Sequence, residues 1–263
     1  MKQIPVNCYL TRIEELKINP NFFVSEPYLR FSKVQCYSND NWIWVEDDKY
    51  LLFPPLPLTN HKKGCPIHKE VWADFVDIFH TFLHTFHHNF LDYNYIFDSN
   101  HFNNLKGGKW AVYRKNINKW PTNNENWKYW DKIKQFEVNK LLSEWLSRKQ
   151  KTVMDVELII QFVLFSQKDI HRKALYDSHN NLMAINVWDE NYKYINYRFC
   201  IVKENQPFLD EFSRFLFYTD LKIQSTGKLI NDGGVLGSTG LERFKDKMNP
   251  IEKQKIYSWI LNK

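Results

Sequence analysis

The hydrophobic pattern changes period several times along the chain, and each change predicts a new element. The stretches at 21–31 (NFFVSEPYLRF), 33–39 (KVQCYSN), 41–46 (NWIWVE) and 49–58 (KYLLFPPLPL) are rich in β-branched and aromatic residues broken by Asn, Asp and Pro. They predict strands in an antiparallel meander. From Ile67 to Phe90 the residues Val71, Phe75, Ile78, Phe79, Phe82, Leu83 and Phe86 recur at spacings of three and four, which predicts a long helix. LDYNYIF at 91–97 predicts a strand, and Gly107 and Gly108 then separate two short helical segments. Between Asn124 and Gln167, Trp127, Trp130, Ile133, Phe136, Leu141, Leu142 and Trp145, then Val156, Ile159, Ile160 and Val163, predict two helices. Strands follow at Arg172–Asp177, Leu182–Trp188 and Tyr192–Val202, then a helix at Pro207–Tyr218, a strand at Lys228–Ile230 and a last helix after Ser238.

The same order of elements in both parts predicts an α+β duplication. Its parts are an N-terminal half over 1–125, bridging helices over 126–168 and a C-terminal half over 169–263. With 263 residues, 43% hydrophobic and 17% aromatic, the chain can bury one large core or two small ones packed together, which argues against disorder. Four cysteines with no CxxC spacing point to a reduced protein, and no run of about 18 apolar residues suggests a membrane span. A cytoplasmic location is the expectation. The net charge of +6 and sequence pI near 8.9 suit a polyanionic partner such as tRNA without requiring one.

Three stretches carry candidate chemistry. His80, His84 and His88 would share one face of the predicted helix, with Cys65 and His68 nearby, but no acidic pair completes a catalytic zinc site. They read as the polar face of an amphipathic helix, and no metal is predicted. The segment 106–120 sets Lys106, Lys109, Arg114 and Lys115 among glycines and tryptophans. It reads either as a phosphate-binding edge or as a solvated basic face anchored by Trp110 and Trp120. In INDGGVLGSTGLERFKDKMNP at 230–250, Gly233, Gly234, Gly237 and Gly240 permit close backbone approach ahead of a helix. The spacing matches neither a P-loop nor a dinucleotide fingerprint, so a turn with an N-cap at Ser238 or Thr239 competes with an anion cradle.

Together, the last two stretches resemble the C-terminal domain of phosphatidylglycerol lysyltransferases, in which an aromatic strand leads to a "dL..LkGkk...kRn.in.F" segment and an Asn-containing strand precedes "LG..GL...K....P". The "G...GL..FK" part is also similar to the Fem peptidyltransferases. The resemblance spans residues 20 to 260 and points to Lys106, Gly107, Lys109, Arg114, Asn116 and Asn118, then to Asn231, Leu236, Gly237, Gly240, Leu241, Lys245 and Pro250. It departs at Val235, where many relatives carry an acid, with Asp232 three residues earlier.

The resemblance implies a tandem pair of GNAT-like (Gcn5-related N-acetyltransferase-like) halves that moves an acyl or aminoacyl group to an amine or hydroxyl. The donor substrate would be aminoacyl-tRNA or acyl-CoA, with no bound cofactor. The turn after the third strand of the second half, Val202 to Leu209, has no glycine to approach a pyrophosphate, which favours aminoacyl-tRNA. Asp232 is then the candidate base or acceptor-orienting carboxylate, with Glu211 and Arg214, on the helix after the strand Tyr192–Val202, as secondary candidates and Tyr197 or Tyr218 as oxyanion donors. Lys106, Lys109, Arg114, Lys115, Gly237, Gly240 and Lys245 would hold phosphate, and Asn116, Asn118 and Asn231 would supply polar contacts. The acceptor would be a small molecule, a peptide, a cell-wall precursor or a modified base. Acyl-CoA-dependent transfer to nucleic acid or a small amine, and non-catalytic nucleic-acid binding, are the competing readings.

Overall fold

The computed structural model describes residues 1–18, 20–59, 70–74, 86–120, 127–149, 155–165 and 168–261. Among these, thirteen strands join in one continuous sheet with helices on both faces, an α+β architecture in two halves. The first half holds β1 (Lys2–Ile4), β2 (Gln35–Ser38), β3 (Trp42–Glu46), β4 (Tyr50–Leu51), β5 (Leu56–Pro57), β6 (Glu70–Asp74) and β7 (Phe86–Phe97). The second holds β8 (Trp127–Trp130), β9 (Ile170–Asp177), β10 (Leu182–Glu190), β11 (Tyr194–Val202) and β12 (Leu229–Asn231). The last strand, β13 (Glu252–Leu261), returns to the first half and inserts between β6 and β7. The halves meet where β12 pairs with β7, Ile230 opposite Phe97 and Asn231 opposite Ile96.

The helices are α1 (Val6–Glu15), α2 (Glu26–Phe31), α3 (Ala111–Ile117), α4 (Gln135–Lys149), α5 (Val156–Leu164), α6 (Leu209–Tyr218), α7 (Leu221–Gln224) and α8 (Thr239–Lys247). Alternation along the second-half strands sorts side chains into two cores. Leu175, Ala184, Trp188 and Tyr197 pack with α3 and α6, whereas Ala174, Ile185 and Val187 pack with α4 and α5. A third core joins α1 and α2 to β2 and β3.

Three expectations are corrected. Glu70–Asp74 and Phe86–Phe90 are strand, not parts of a helix from 67 to 90, so His88 lies in β7; His80, His84, Cys65 and His68 fall outside the described residues. Of the apolar residues at that spacing, Val71 pairs with Trp259 and Phe86 with Leu261 of β13, and Phe75, Ile78, Phe79, Phe82 and Leu83 fall outside the described residues. Residues 26–31 form a helix because the Ser25 hydroxyl accepts from the Tyr28 amide and Pro27 fits the first turn. Trp127–Trp130 is a strand paired with β9, so the bridge begins only at Gln135.

One buried ion pair ties the first half to the second. Asp189 of β10 accepts from Arg198 Nε at 2.9 Å and from the Ser25 hydroxyl at 2.7 Å. Arg198 also donates to the Phe22 carbonyl at 2.5 Å, and its guanidinium lies over the Phe22 ring at 4.2 Å and the Tyr28 ring at 4.9 Å. Arg198 is the extra residue of a β-bulge, since Val187 faces Phe199 while Trp188 faces Tyr197. Removing one member strands a buried charge. Asp189→Ala is expected to cost about 3–5 kcal/mol in urea denaturation, whereas Lys222→Ala, which breaks only the exposed pair with Asp131, leaves the midpoint essentially unchanged.

Candidate functional site

β11 and β12 run parallel for only three rungs, Tyr194 with Leu229, Ile195 with Ile230 and Asn196 with Asn231. Beyond them the strands part. β11 continues along β10, while the chain after β12 stays on β7, with the Asp232 amide donating to the Tyr95 carbonyl at 2.9 Å and the Tyr95 amide to the Gly233 carbonyl at 3.1 Å. This fork, with the glycine bend at its tip, is the candidate site.

Asp232 projects from the tip onto the α6 and α8 face and is buried. Its carboxylate takes a short contact from Arg214 of α6 and a hydrogen bond from the Tyr218 hydroxyl at 3.1 Å, and Lys245 Nζ of α8 lies 3.5 Å away. Arg214 also stands over the Tyr197 ring at 4.5 Å, so it bridges the two prongs. Burial pulls its guanidinium pKa down, but the Asp232 charge together with Tyr197, Cys200 and Tyr218 more than offsets this and holds it well above the ordinary value. Burial, then the same carboxylate, pushes the Tyr218 phenol well up.

Lys245 shapes the bend itself. Its ammonium donates to the Asp232 carbonyl, to the Gly233 carbonyl at 3.0 Å and to the Gly234 carbonyl at 2.9 Å, using all three donors. Burial lowers its pKa to about 8, with Asp232 opposing and Arg214 reinforcing the fall. From the other side Asp92 Oδ2 accepts from the Val235 and Leu236 amides, each at 2.7 Å. A bulge at Leu91 precedes Asp92, because Ile256 faces Asp92 while Tyr257 faces Phe90. The bend needs glycine: Gly233 has φ of 64° and a Cβ there would meet the Phe22 ring at 3.0 Å, while a Cβ on Gly234 would lie 2.3 Å from Asp92 Oδ2.

The fork gathers Asp232, Arg214, Tyr218, Tyr197, Asn231 and Lys245 and leaves other candidates elsewhere. Tyr197 donates a short hydrogen bond to Asn186 Oδ1, so its hydroxyl proton is already committed. Glu211 is buried beneath α3, where it accepts from Asn116 Nδ2 at 3.0 and 2.9 Å and from Lys247 at 2.6 Å. Arg114 turns inward to the Leu105 and Gly107 carbonyls, the latter at 3.0 Å, and so braces the loop in place of an outside anion. Lys106, Lys109, Lys115 and Asn118 are exposed.

Several amides of the glycine stretch are engaged from within the chain. Val235 and Leu236 are taken by Asp92, and the Ser238 hydroxyl caps α8 by accepting from the Leu241 amide at 3.3 Å. Gly237, at φ of 73°, serves the turn, and Gly240 lies in α8. Asp92, Asp189, Arg198 and Asn196 are the polar residues at the fork that sequence reasoning missed; a bulge and long-range pairings place them. A cavity of about 420 Å³ between α4 and α5, lined by Leu142, Leu146, Val156 and Ile160 among others, carries no charged group and lies apart from this chemistry.

The two halves side by side have the fold of tandem GNAT-like proteins. Among solved structures, the chain is similar to a conserved protein of unknown function from Bacteroides thetaiotaomicron (TM-score 0.75, 15% identity, 99% of this chain and 98% of that one). It is also similar to L-PGS from Bacillus licheniformis (TM-score 0.65, 17% identity, 100% and 94%) and to FemX (TM-score 0.65, 8% identity, 100% and 98%). At these identities the likeness establishes the fold. No protein-family model and no curated protein matches the sequence. Among the described residues, no helix is long and apolar enough to cross a membrane.

Two outcomes test the bend. Gly234→Ala is expected to destabilise the protein by about 1–3 kcal/mol, since Asp92 must give way, as read from the urea midpoint. Lys245 binds fewer protons folded than unfolded between pH about 8 and its ordinary 10.5, so its burial penalty is relieved as pH rises through that window. Stability of the parent relative to Lys245→Met should therefore rise from pH 8 to 10.5 and stay flat below pH 7.

Proposed function

We propose that the chain is an acyl or aminoacyl transferase with aminoacyl-tRNA as donor and an amine or hydroxyl acceptor, working at the fork between β11 and β12. The observation that carries the reading is the buried Arg214 and Asp232 pair at the tip of that fork, in a fold of the tandem GNAT-like kind. Transfer from an ester needs an acceptor held in line with an activated carbonyl and positive potential where the oxyanion develops. The cationic groups Arg214 and Lys245 outnumber the one carboxylate between them. Asp232, with its oxygens engaged by these groups and by Tyr218, is the orienting carboxylate and not the proton acceptor.

Two features support the tRNA donor. The turn into α6 runs through Phe208, a non-glycine at φ of 64°, and the first turn of α6 carries Asp210 and Glu211, which repel a pyrophosphate where a CoA site needs bare amides. The exposed Lys106, Lys109 and Lys115 offer phosphate contacts on the neighbouring surface.

Incubating the protein with a mixture of charged tRNAs and candidate acceptors should yield an aminoacylated product by mass spectrometry. Asp232→Asn should slow this about a hundredfold, the loss expected of a misplaced reactant. Charged tRNA should raise the melting temperature and CoA should not. Salt-dependent tRNA binding without product from any donor would leave a nucleic-acid-binding protein instead, and an acyl-CoA product would move the donor assignment to CoA.

A further inference from the structure

The face of the fork opposite Arg214 carries a polar rung with two groups left over. Asn196 and Asn231 are the last paired residues of β11 and β12, so their side chains share one face of the sheet, and both are fully buried. The amide orientations are fixed from the far side. Asn196 Nδ2 donates to Asp189 Oδ1 at 2.8 Å, and Asn231 Oδ1 accepts from the Gly233 amide at 2.9 Å. Flipping either amide would set oxygen against carboxylate or N–H against N–H. The atoms that remain are an acceptor, Asn196 Oδ1, and a donor, Asn231 Nδ2, and neither has a partner. They are complementary, yet do not bond to each other. Buried polar groups in native proteins are nearly always satisfied, so a donor and an acceptor left over side by side point to a group that completes both.

We propose that this rung is a binding site for a neutral or amine-bearing polar group that presents an acceptor oxygen and a donor nitrogen together, the pattern of an α-aminoacyl unit. Its carbonyl oxygen would accept from Asn231 Nδ2 and its amino group would donate to Asn196 Oδ1. The choice of ligand rests on the transferase reading; the site itself rests on the two unpartnered atoms. Asn231 immediately precedes Asp232, so the rung and the Arg214 pair occupy opposite faces of the same fork. The Arg198 and Asp189 pair holds the rung from behind, and half-buried Phe22 packs against Gly233 at its edge.

The test uses the whole chain, labelled with ¹⁵N, and alaninamide as a hydrolysis-resistant aminoacyl probe. The side-chain amide resonances of Asn196 and Asn231 should shift saturably as probe is added. Asn231→Asp keeps the acceptor for the Gly233 amide but replaces the free donor with an acceptor, and should weaken binding about tenfold or more, the loss of one hydrogen bond in a dry site. Its melting curve reports folding; if the variant does not fold, the titration of the parent protein decides alone. The proposal is overturned if neither resonance shifts, if Asn231→Asp binds the probe as well as the parent, or if a crystal soaked in probe holds only a water between the two asparagines. Because binding is read without turnover, a chain that binds the probe yet transfers nothing would retain this site and lose the transferase reading. A chain that transfers but ignores the probe would do the reverse.

Discussion

Arg214 and Asp232 meet where a parallel strand pair comes apart, and the rest of the site is arranged around keeping that meeting intact. Two opposite charges taken out of water are stable only if their hydrogen-bonding capacity is met in place. Here the Tyr218 hydroxyl donates to Asp232, the Lys245 ammonium adds its charge at 3.5 Å, and the Tyr197 ring supports the guanidinium from below. The contact bridges the prongs, since Tyr197 belongs to β11 and Asp232 follows β12. Lys245 then passes the constraint to the main chain by gathering three successive carbonyls of the bend, while Asp92 gathers two amides from the opposite side. A bend gripped at both its donors and its acceptors has little freedom left, and this is how a glycine-rich stretch becomes a fixed wall.

The opposite face solves a second problem, the attachment of the N-terminal segment. Arg198 alternates away from Tyr197 and reaches Phe22 and Ser25, more than 170 residues distant in sequence. Its guanidinium is paired with Asp189 in the plane and stacked on aromatic rings above it, a combination that lysine could not reproduce. Phe22 in turn abuts Gly233, so the two ionic centres, one on each face, both bear on the same bend. The fork is therefore closed by two arginines from opposite sides, each held by its own buried aspartate.

What was legible in the sequence follows from how local each signal is. Short apolar, β-branched and aromatic runs placed β9, β10 and β11 to within a few residues, and Ser238 ahead of a charged amphipathic run marked the start of α8. Asp232 beside paired glycines stood out as a carboxylate at a strand end, and its burial with Arg214 and Tyr218 brings together three residues that had been singled out separately. Two of the three misreadings share one cause. At 70–74, 86–90 and 127–130 apolar spacing was compatible with a helix, and the outcome was decided by partners elsewhere, β13 for β6 and β7 and β9 for β8. At 26–31 the helix start was written in Ser25 and Pro27, but the aromatic density around them was read as strand.

The polar residues that escaped notice were invisible for a further reason. Asp92 is re-aimed by a bulge, Arg198 is itself a bulged residue, and a bulge shifts register by one without leaving a mark in the periodicity. Such irregularities point side chains where a regular strand could not, and those at Leu91 and Arg198 border the fork. The same argument bears on Asn196 and Asn231. In a regular parallel ladder the next rung would follow and the two amides would sit inside continuous sheet; because pairing stops there, they stand at its open end. The rung also marks where the prongs separate, since Asn196 is held to Asp189 of β10 while Asn231 accepts from the Gly233 amide of the bend, so each amide is anchored along its own prong.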